Sequence, residues 1–541
     1  MKALLMYRDR DFDPQQLLHE LKRRDQDIDF RQQLPRHERD LIQDLELDTL
    51  WRAMAGDDEF LFDVARKAIL SGLRNDVDTI LYRQQVVKDC LKNAAVVREL
   101  YNLTVETIEG SRKHWWSISG HYASSMLYSA IDLLDFLLGT LKKLRGFAEG
   151  QGGQFESEAF TALFATLQEE LDEEYLATIR NHLAELKFRK GVLMSAQLGE
   201  MNESTNYVLR QGRRKEPSWL ERIFGKGPPG YTFHLDERDE AGARILSEMR
   251  QLAISRVAVA LARSADHVMS FVRMLRAELA FYVGCLNLHG RLTSKEIPWC
   301  FPAPVPAGER RHRFNGLYDV CLSLRMESRV VGNIANGDGK SLIIITGANQ
   351  GGKSTFLRSI GVAQVMMQCG MFVGAESFEA ELCPALFTHY KREEDPTMKS
   401  GKLDEELARM SEIADHVVPN SLLLFNESFA ATNEREGSGL AKQIVSALLE
   451  KRMKVFYVTH LYEFARGFYD RKTDGALFLR AERKEDGTRT FRLQEGAPLE
   501  TSYGEDLYRQ IFDVGTQSLK KETNPVSSAG ADDVLPLNQG N

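Results

Sequence analysis

The stretch Gly347-Ala348-Asn349-Gln350-Gly351-Gly352-Lys353-Ser354 constrains this chain more than any other. It fits G-x-x-x-x-G-K-[ST], follows the apolar run Leu342-Ile343-Ile344-Ile345 and precedes a helical stretch, Thr355 to Met367. Strand, loop and helix therefore stand in the order a phosphate cradle requires. Glycine lets the backbone curl until consecutive N–H groups face one point, and the helix N-terminus adds partial positive charge there. The expected nucleotide contacts are Gly347, Asn349, Gly351, Gly352, Lys353, Ser354 and Thr355. Lys353 would reach the β- and γ-phosphates, and the Ser354 hydroxyl would complete the shell of a Mg²⁺ ion. The alternative, a glycine-rich turn that merely links strand to helix, is disfavoured by this context.

Two further strands sharpen the chemistry. Leu422-Leu423-Leu424-Phe425-Asn426-Glu427 is an apolar strand ending in a carboxylate, so Glu427 is the expected catalytic base for an attacking water. Standing alone it would read as an ordinary exposed glutamate; downstream of a phosphate loop it does not. Val455-Phe456-Tyr457-Val458-Thr459 places His460 at a third strand end, where it could sense a γ-phosphate or simply occupy a turn.

A chain of 541 residues predicts about three domains. Hydrophobic residues at 43% and charged residues at 27% fit a globular protein. The net charge of −8 argues against a body that coats nucleic acid, so any such contact must be local. The apolar run Ala3 to Met6 is too short for a secretion signal. Tyr122 to Leu138 is interrupted by Asp132 and Asp135 and reads as an amphipathic core helix rather than a membrane span. The six cysteines form no C-x-x-C pair and no zinc-like cluster, which predicts reduced thiols in a cytoplasmic protein.

Residues 1–190 are rich in Leu, Glu, Lys, Arg and Gln, and Leu127, Ile131, Leu134, Leu138 and Leu141 keep helical spacing. They predict a helical core and lever, with a helix-loop-helix junction at Gly146 to Gly153. Residues 191–235 predict a protruding loop or small clamp-like element, and 236–300 the returning helices. Pro302, Pro304 and Pro306 mark a boundary, after which 301–517 read as α/β. Residues 518–541 have the composition of a disordered tail. The fold class is multidomain: a mainly α-helical core and lever followed by a C-terminal α/β P-loop ATPase domain.

Thr346 to Arg358 match T-G-x-N-x-x-G-K-S-T followed by an F/Y-L-R segment, Gln368 to Ala375 are similar to an A-Q-x-G-x-[FY]-V-P-A stretch, and Thr459-His460 match a closing T-H. Together they resemble the MutS family of ABC-type ATPases. Upstream, Ile80 to Val87 look like that family's R-Q-x-x-V core segment, and Val330 to Ile334 like its adenine-side F-V-P-N-D, which assigns Asn333 to nucleotide binding. The resemblance covers residues 40 to 515. It implies an ATP- and Mg²⁺-dependent homodimer with composite sites and levers that can encircle DNA.

Three departures matter. The sequence begins close to the core segment, which predicts no separate mispair-reading Phe-x-Glu domain, and Phe147-Ala148-Glu149 reads as chance. In the signature segment offered in trans to the partner's γ-phosphate, Leu403 stands where a serine is usual, leaving Ser400 with Gly401 as candidates. Asn426, a metal-side residue with Ser354, replaces the usual aspartate, which predicts slow hydrolysis.

Arg210, Arg213, Arg214, Lys215, Arg222 and Lys226 interleave with Trp219, Phe224 and Tyr231. The mixture suits phosphate contact and base stacking, with Arg213, Arg214, Lys215 and Trp219 the named candidates, and suits a solvated loop equally well. Two function classes stay open: an ATP-gated DNA clamp in repair or recombination, without mispair selection, and an ATPase that clamps or remodels a protein or ribonucleoprotein partner such as the ribosome.

Overall fold

The computed structural model describes residues 1–10, 34–35, 37–115, 122–188, 191–201, 203–210, 234–392 and 401–499. Arg213, Arg214, Lys215, Trp219, Ser400 and the tail from 518 lie outside the described residues.

The helical half runs through α1 (Glu38–Leu45), α2 (Leu47–Ala55), α3 (Glu59–Ser71), α4 (Val77–Lys92), α5 (Ala94–Trp115), α6 (Ala123–Gln151), α7 (Glu158–Glu170) and α8 (Glu173–Leu186). An antiparallel hairpin follows, β1 (Met194–Leu198) and β2 (Ser204–Leu209), and then a single helix, α9 (Glu240–Thr293). Aspartates start several of these helices. The side chains of Asp58, Asp76, Asp172 and Asp239 accept backbone N–H groups of the first turns of α3, α4, α8 and α9. The 54 residues of α9 contain no proline, so nothing breaks it over about 80 Å. Most of its buried residues lie between Met269 and Leu292, whereas Ile245, Leu246 and Leu252 near its start are exposed.

The α/β half comprises β3 (Ala303–Val305), β4 (His312–Leu317), α10 (Val320–Arg325), β5 (Asn333–Asn336), β6 (Leu342–Gly347), α11 (Lys353–Gln368), β7 (Ser377–Glu381) and β8 (Leu386–Tyr390). It continues with α12 (Lys402–Ala414), β9 (Leu422–Asn426), α13 (Glu434–Glu450), β10 (Lys454–Val458), α14 (Tyr462–Asp470), β11 (Ala476–Arg483) and β12 (Arg489–Glu495).

These elements form two compact units, and the first is discontinuous: Met1–Val330 with Ser359–Leu386. Residues 301–330, expected to belong with the α/β half, fall in this unit because β3 and β4 both pair with β7. Hydrogen bonds tie the two stretches elsewhere too. Arg83 Nη1 donates to Cys369 O at 3.2 Å, Asn75 Nδ2 to Gln368 O at 2.9 Å, and Gln368 Nε2 to Leu73 O at 2.8 Å. The short apolar run at the start of the chain is core here: Leu5 N donates to Glu278 Oε2, and Tyr282 Oη to Leu5 O, both at 2.5 Å.

Helix α6 is long and apolar enough to cross a membrane, yet it packs on α5, α7, α8 and α9. Leu127, Ile131, Leu134, Leu138 and Leu141 are buried and Asp132 and Asp135 exposed, as the core-helix expectation requires. The expected junction at Gly146 to Gly153 falls at its far end: the helix runs through Gly146 to Gln151, fastened by buried Leu144 and Ala148 and the Arg145–Glu149 pair at 2.8 Å, and the break before α7 comes from Gly152 to Ser157. Phe147-Ala148-Glu149 therefore lies within a helix. The six cysteines carry no disulfide, and five of them are buried.

The second unit, Val331–Arg358 with the residues from Phe387 onward, holds a six-stranded sheet in the order β12-β11-β6-β10-β9-β8. β9, β10, β6 and β11 run parallel, and β12 returns antiparallel on β11. Every residue of β6 and β10 is buried, which is why both read as unbroken apolar runs.

Candidate functional site

In the central sheet, Val458 of β10 lies opposite Ile345 of β6 and Asn426 of β9. The carboxyl ends of three parallel strands thus form one edge, where open α/β sheets bind ligands. Each end releases a segment singled out in the sequence: the Gly347 loop, Glu427 and His460.

The loop needs its glycines for stated reasons. Gly347 has φ 110°, and a Cβ there would lie 2.9 Å from Ala481 N on β11; Gly352 has φ 87°. Lys353, 5% exposed, folds back so that Nζ donates to Gly347 O at 3.1 Å and Ala348 O at 3.0 Å. Burial brings the Lys353 ammonium down to about 8, opposed by the Glu427 carboxylate. A polyphosphate seated on the loop would restore the charged form by direct pairing.

Ser354 Oγ donates to Asn426 Oδ1 at 2.9 Å, joining the first turn of α11 to the end of β9. Both are hard oxygen donors. Among the described residues no group of three or more His, Cys, Asp and Glu could hold a metal ion. The pair fits Mg²⁺, which keeps waters and phosphate oxygens beside one or two protein ligands, but asparagine brings no charge to the shell.

Glu427 Oε1 and His460 Nε2 are 3.0 Å apart, with side chains 31% and 30% exposed. The His460 hydrogen bond holds the Glu427 carboxyl below the usual carboxylate range, against the effect of burial. Glu427 has φ 54° and Phe429 φ 61°, left-handed backbone without glycine.

Asn333 is engaged with β12: its Oδ1 accepts Leu493 N at 2.8 Å, and its Nδ2 donates to Phe491 O at 3.4 Å. Two residues that the sequence reading passed over thereby stand at the loop. Arg489 Nε donates to Asn349 O at 3.2 Å, and Phe491, 49% exposed, lies 3.5 Å from where a Gly352 Cβ would sit, at ordinary contact distance. The signal was present as Asp486-Gly487 between two alternating runs, a hairpin pattern that puts β12 beside β11. Of the proposed signature pair, Gly401 is the N-cap of α12.

Family profiles match most of this architecture. The one described as the MutS2 N-terminal domain covers residues 75–295, and the one described as MutS domain V covers residues 343–511, which hold the loop, Glu427, His460 and Phe491. The chain belongs to the MutS family. Domain V is the ATPase domain of the MutS family. Among MutS-family relatives, the mouse (Mus musculus) "MutS protein homolog 4" is 27% identical over 203 residues, 35% of this chain and 20% of that protein. The "DNA mismatch repair protein MutS" of Streptococcus mutans is 30% identical over 194 residues, 35% of this chain and 23% of that protein. Its namesake in Syntrophomonas wolfei is 31% identical over 164 residues, 30% and 19% respectively. The chain thus spans about a fifth of the length of these MutS-family relatives.

Proposed function

We propose that this chain binds ATP with Mg²⁺, hydrolyses it slowly, and works as a homodimeric, ATP-gated DNA clamp in repair or recombination without selecting mispairs. The observation that carries the nucleotide chemistry is the convergence of Lys353, the Ser354–Asn426 pair and the Glu427–His460 pair on one strand edge. DNA as the substrate rests on the relatives' being DNA mismatch repair proteins.

In this reading the Glu427 carboxylate accepts a proton from the water that attacks the γ-phosphorus, while His460 keeps it ionised and fixes its direction. Lys353 neutralises the phosphates, and the loop N–H groups hold them. Mg²⁺, held by Ser354 and through Asn426, would supply charge stabilisation at the phosphate oxygens. Asn426 lowers the negative charge available to the ion, which makes turnover slow.

Turnover, nucleotide affinity and DNA binding measured on one set of variants test the reading. Lys353→Ala should lose tight ATP binding, whereas Glu427→Gln should keep it and lose roughly 10²–10⁴-fold in kcat. At saturating Mg-ATP the Glu427→Gln protein should be a dimer by light scattering. Duplex affinity should fall with salt at a slope of about −0.9 per phosphate contacted, and neutralising Arg213, Arg214 and Lys215 together should flatten that slope. Equal loss of nucleotide affinity in both variants removes Glu427 as the base. Ribosome co-sedimentation with no DNA affinity removes the clamp on DNA.

A further inference from the structure

The turn after β9 has left-handed backbone at Glu427 and Phe429, a conformation that residues other than glycine hold only where their surroundings impose it. Helix α12 and strand β8 supply those surroundings. Glu406 on α12, 6% exposed, accepts the Phe429 N–H at Oε2, 2.6 Å away. His389 on β8, 1% exposed, places Nε2 3.0 Å from the Glu406 carbonyl oxygen and Nδ1 2.7 Å from Ser428 Oγ. A carbonyl only accepts, so His389 Nε2 carries a proton. The Phe429 ring, fully buried, stacks on the His389 ring at 5.3 Å and 24°.

Glu406 is out of place as packing. Burial pushes its carboxyl up from the usual value, opposed first by the Phe429 N–H and then by the Lys391 and Arg409 charges. An apolar side chain would fill the same space without that cost. What only an acceptor can do there is hold the N–H two residues beyond Glu427, whose carboxylate interacts with the Lys353 ammonium of the phosphate loop.

We propose that Glu406, braced by His389, is a positioning residue for ATP hydrolysis: by holding Phe429 N–H it fixes the turn that directs the Glu427 carboxylate towards the phosphate loop. The proposal rests on reading Glu427 as the base.

The test compares Glu406→Leu, Glu406→Gln, Glu427→Gln and the Glu406→Leu/Glu427→Gln double variant by kcat, KM for ATP and amide exchange over Glu427 to Ala431. Glu406→Leu should lower kcat on the order of 10²-fold, the cost of a slight misplacement of a reacting group. Its KM should hold, as expected for an interaction used only in the transition state. Exchange at Phe429 should speed up. Glu406→Gln keeps an accepting oxygen and should recover most of the turnover. In the Glu427→Gln background, Glu406→Leu should cost nothing more, since both changes remove one function.

Natural turnover in Glu406→Leu beside a slow Glu427→Gln overturns the positioning role alone. Natural turnover in Glu427→Gln overturns the base and the positioning role together. A rise in KM and a fall in melting temperature shared by the Leu and Gln variants reduce Glu406 to a structural group, and so does additive loss in the double variant. If Glu406→Leu does not fold, Glu406→Gln decides: slow turnover with unchanged amide protection overturns the proposal, and near-natural turnover with Phe429 still protected upholds it.

Discussion

The phosphate loop and the turn that carries Glu427 leave neighbouring ends of one sheet and both need left-handed backbone, yet they obtain it in opposite ways. The loop uses glycine at Gly347 and Gly352, with a single exposed exception at Gln350, φ 58°. The turn uses glutamate and phenylalanine, and its shape comes from a buried ring and from Glu406. The loop's left-handed backbone is therefore permitted by its own glycines, whereas the turn's is tertiary and borrowed from α12, β8 and β10, whose Tyr457 Oη donates to Ser428 O and whose Val458 carbonyl accepts Glu427 N. A local device tolerates changes around it; a borrowed one does not.

The largest effect expected from this contrast is at Phe429. Glycine suits the local φ, yet Phe429→Gly removes a fully buried ring, and losing such a side chain costs about 3–5 kcal/mol. Urea unfolding, followed in the transition that responds to added nucleotide, should move accordingly. An unchanged midpoint would mean that backbone preference, not packing, sets the turn.

Next come the two charged groups, which titrate on opposite sides of neutrality. Burial brings Lys353 to about 8, so the free site is charged below that pH and neutral above it. ATP affinity should be level below pH 8 and fall about tenfold per pH unit above it, because binding must then take up a proton. Lys353→Arg should flatten that fall in isothermal titration. Glu427 is shifted down by His460, so the acid limb of kcat should lie below the usual carboxylate range. His460→Ala removes the largest influence that lowers it, leaving the Lys353 and Lys391 charges against burial, and should move that limb upward; a pH profile unmoved by this change would separate the two residues.

The smallest effect is at Gln350, the loop's one left-handed residue that is not glycine. Gln350→Gly should change stability by less than about 1 kcal/mol, relief of φ strain being offset by a more flexible unfolded chain. A larger loss by the same unfolding measurement would show that this position, too, leans on its neighbours.

The same contrast explains what could be read from the sequence. The glycine loop from Gly347, β6, β9 and β10 were legible because glycine spacing and unbroken apolar runs are local signals, and the strand ends then put Asn426, Glu427 and His460 near it in the sequence reading. The α6 stripe was legible for the same reason. The run of helix through Gly146 was not, since glycine's local penalty is outweighed by the buried Leu144 and Ala148 on either side. Glu406 and His389 read as unremarkable polar residues on a helix and a strand, and only the pairing of distant elements brings them to Phe429. Arg489 and Phe491 fell between these cases: the hairpin was visible, but its place beside Gly352 depends on β11 joining β6.

The first unit's discontinuity bears on how this protein could be dissected or assembled. Its residues up to Val330 are complete only with Ser359–Leu386, which lie beyond β6 and the phosphate loop in the chain. A fragment ended at Val330 would strip β3 and β4 of β7 and leave the buried guanidinium of Arg83 without the Cys369 carbonyl. Nor can that unit close early during folding, since residues 5 and 278, and residues 83 and 369, must meet across most of its length. Its slow step is then the joining of remote segments rather than the winding of its helices.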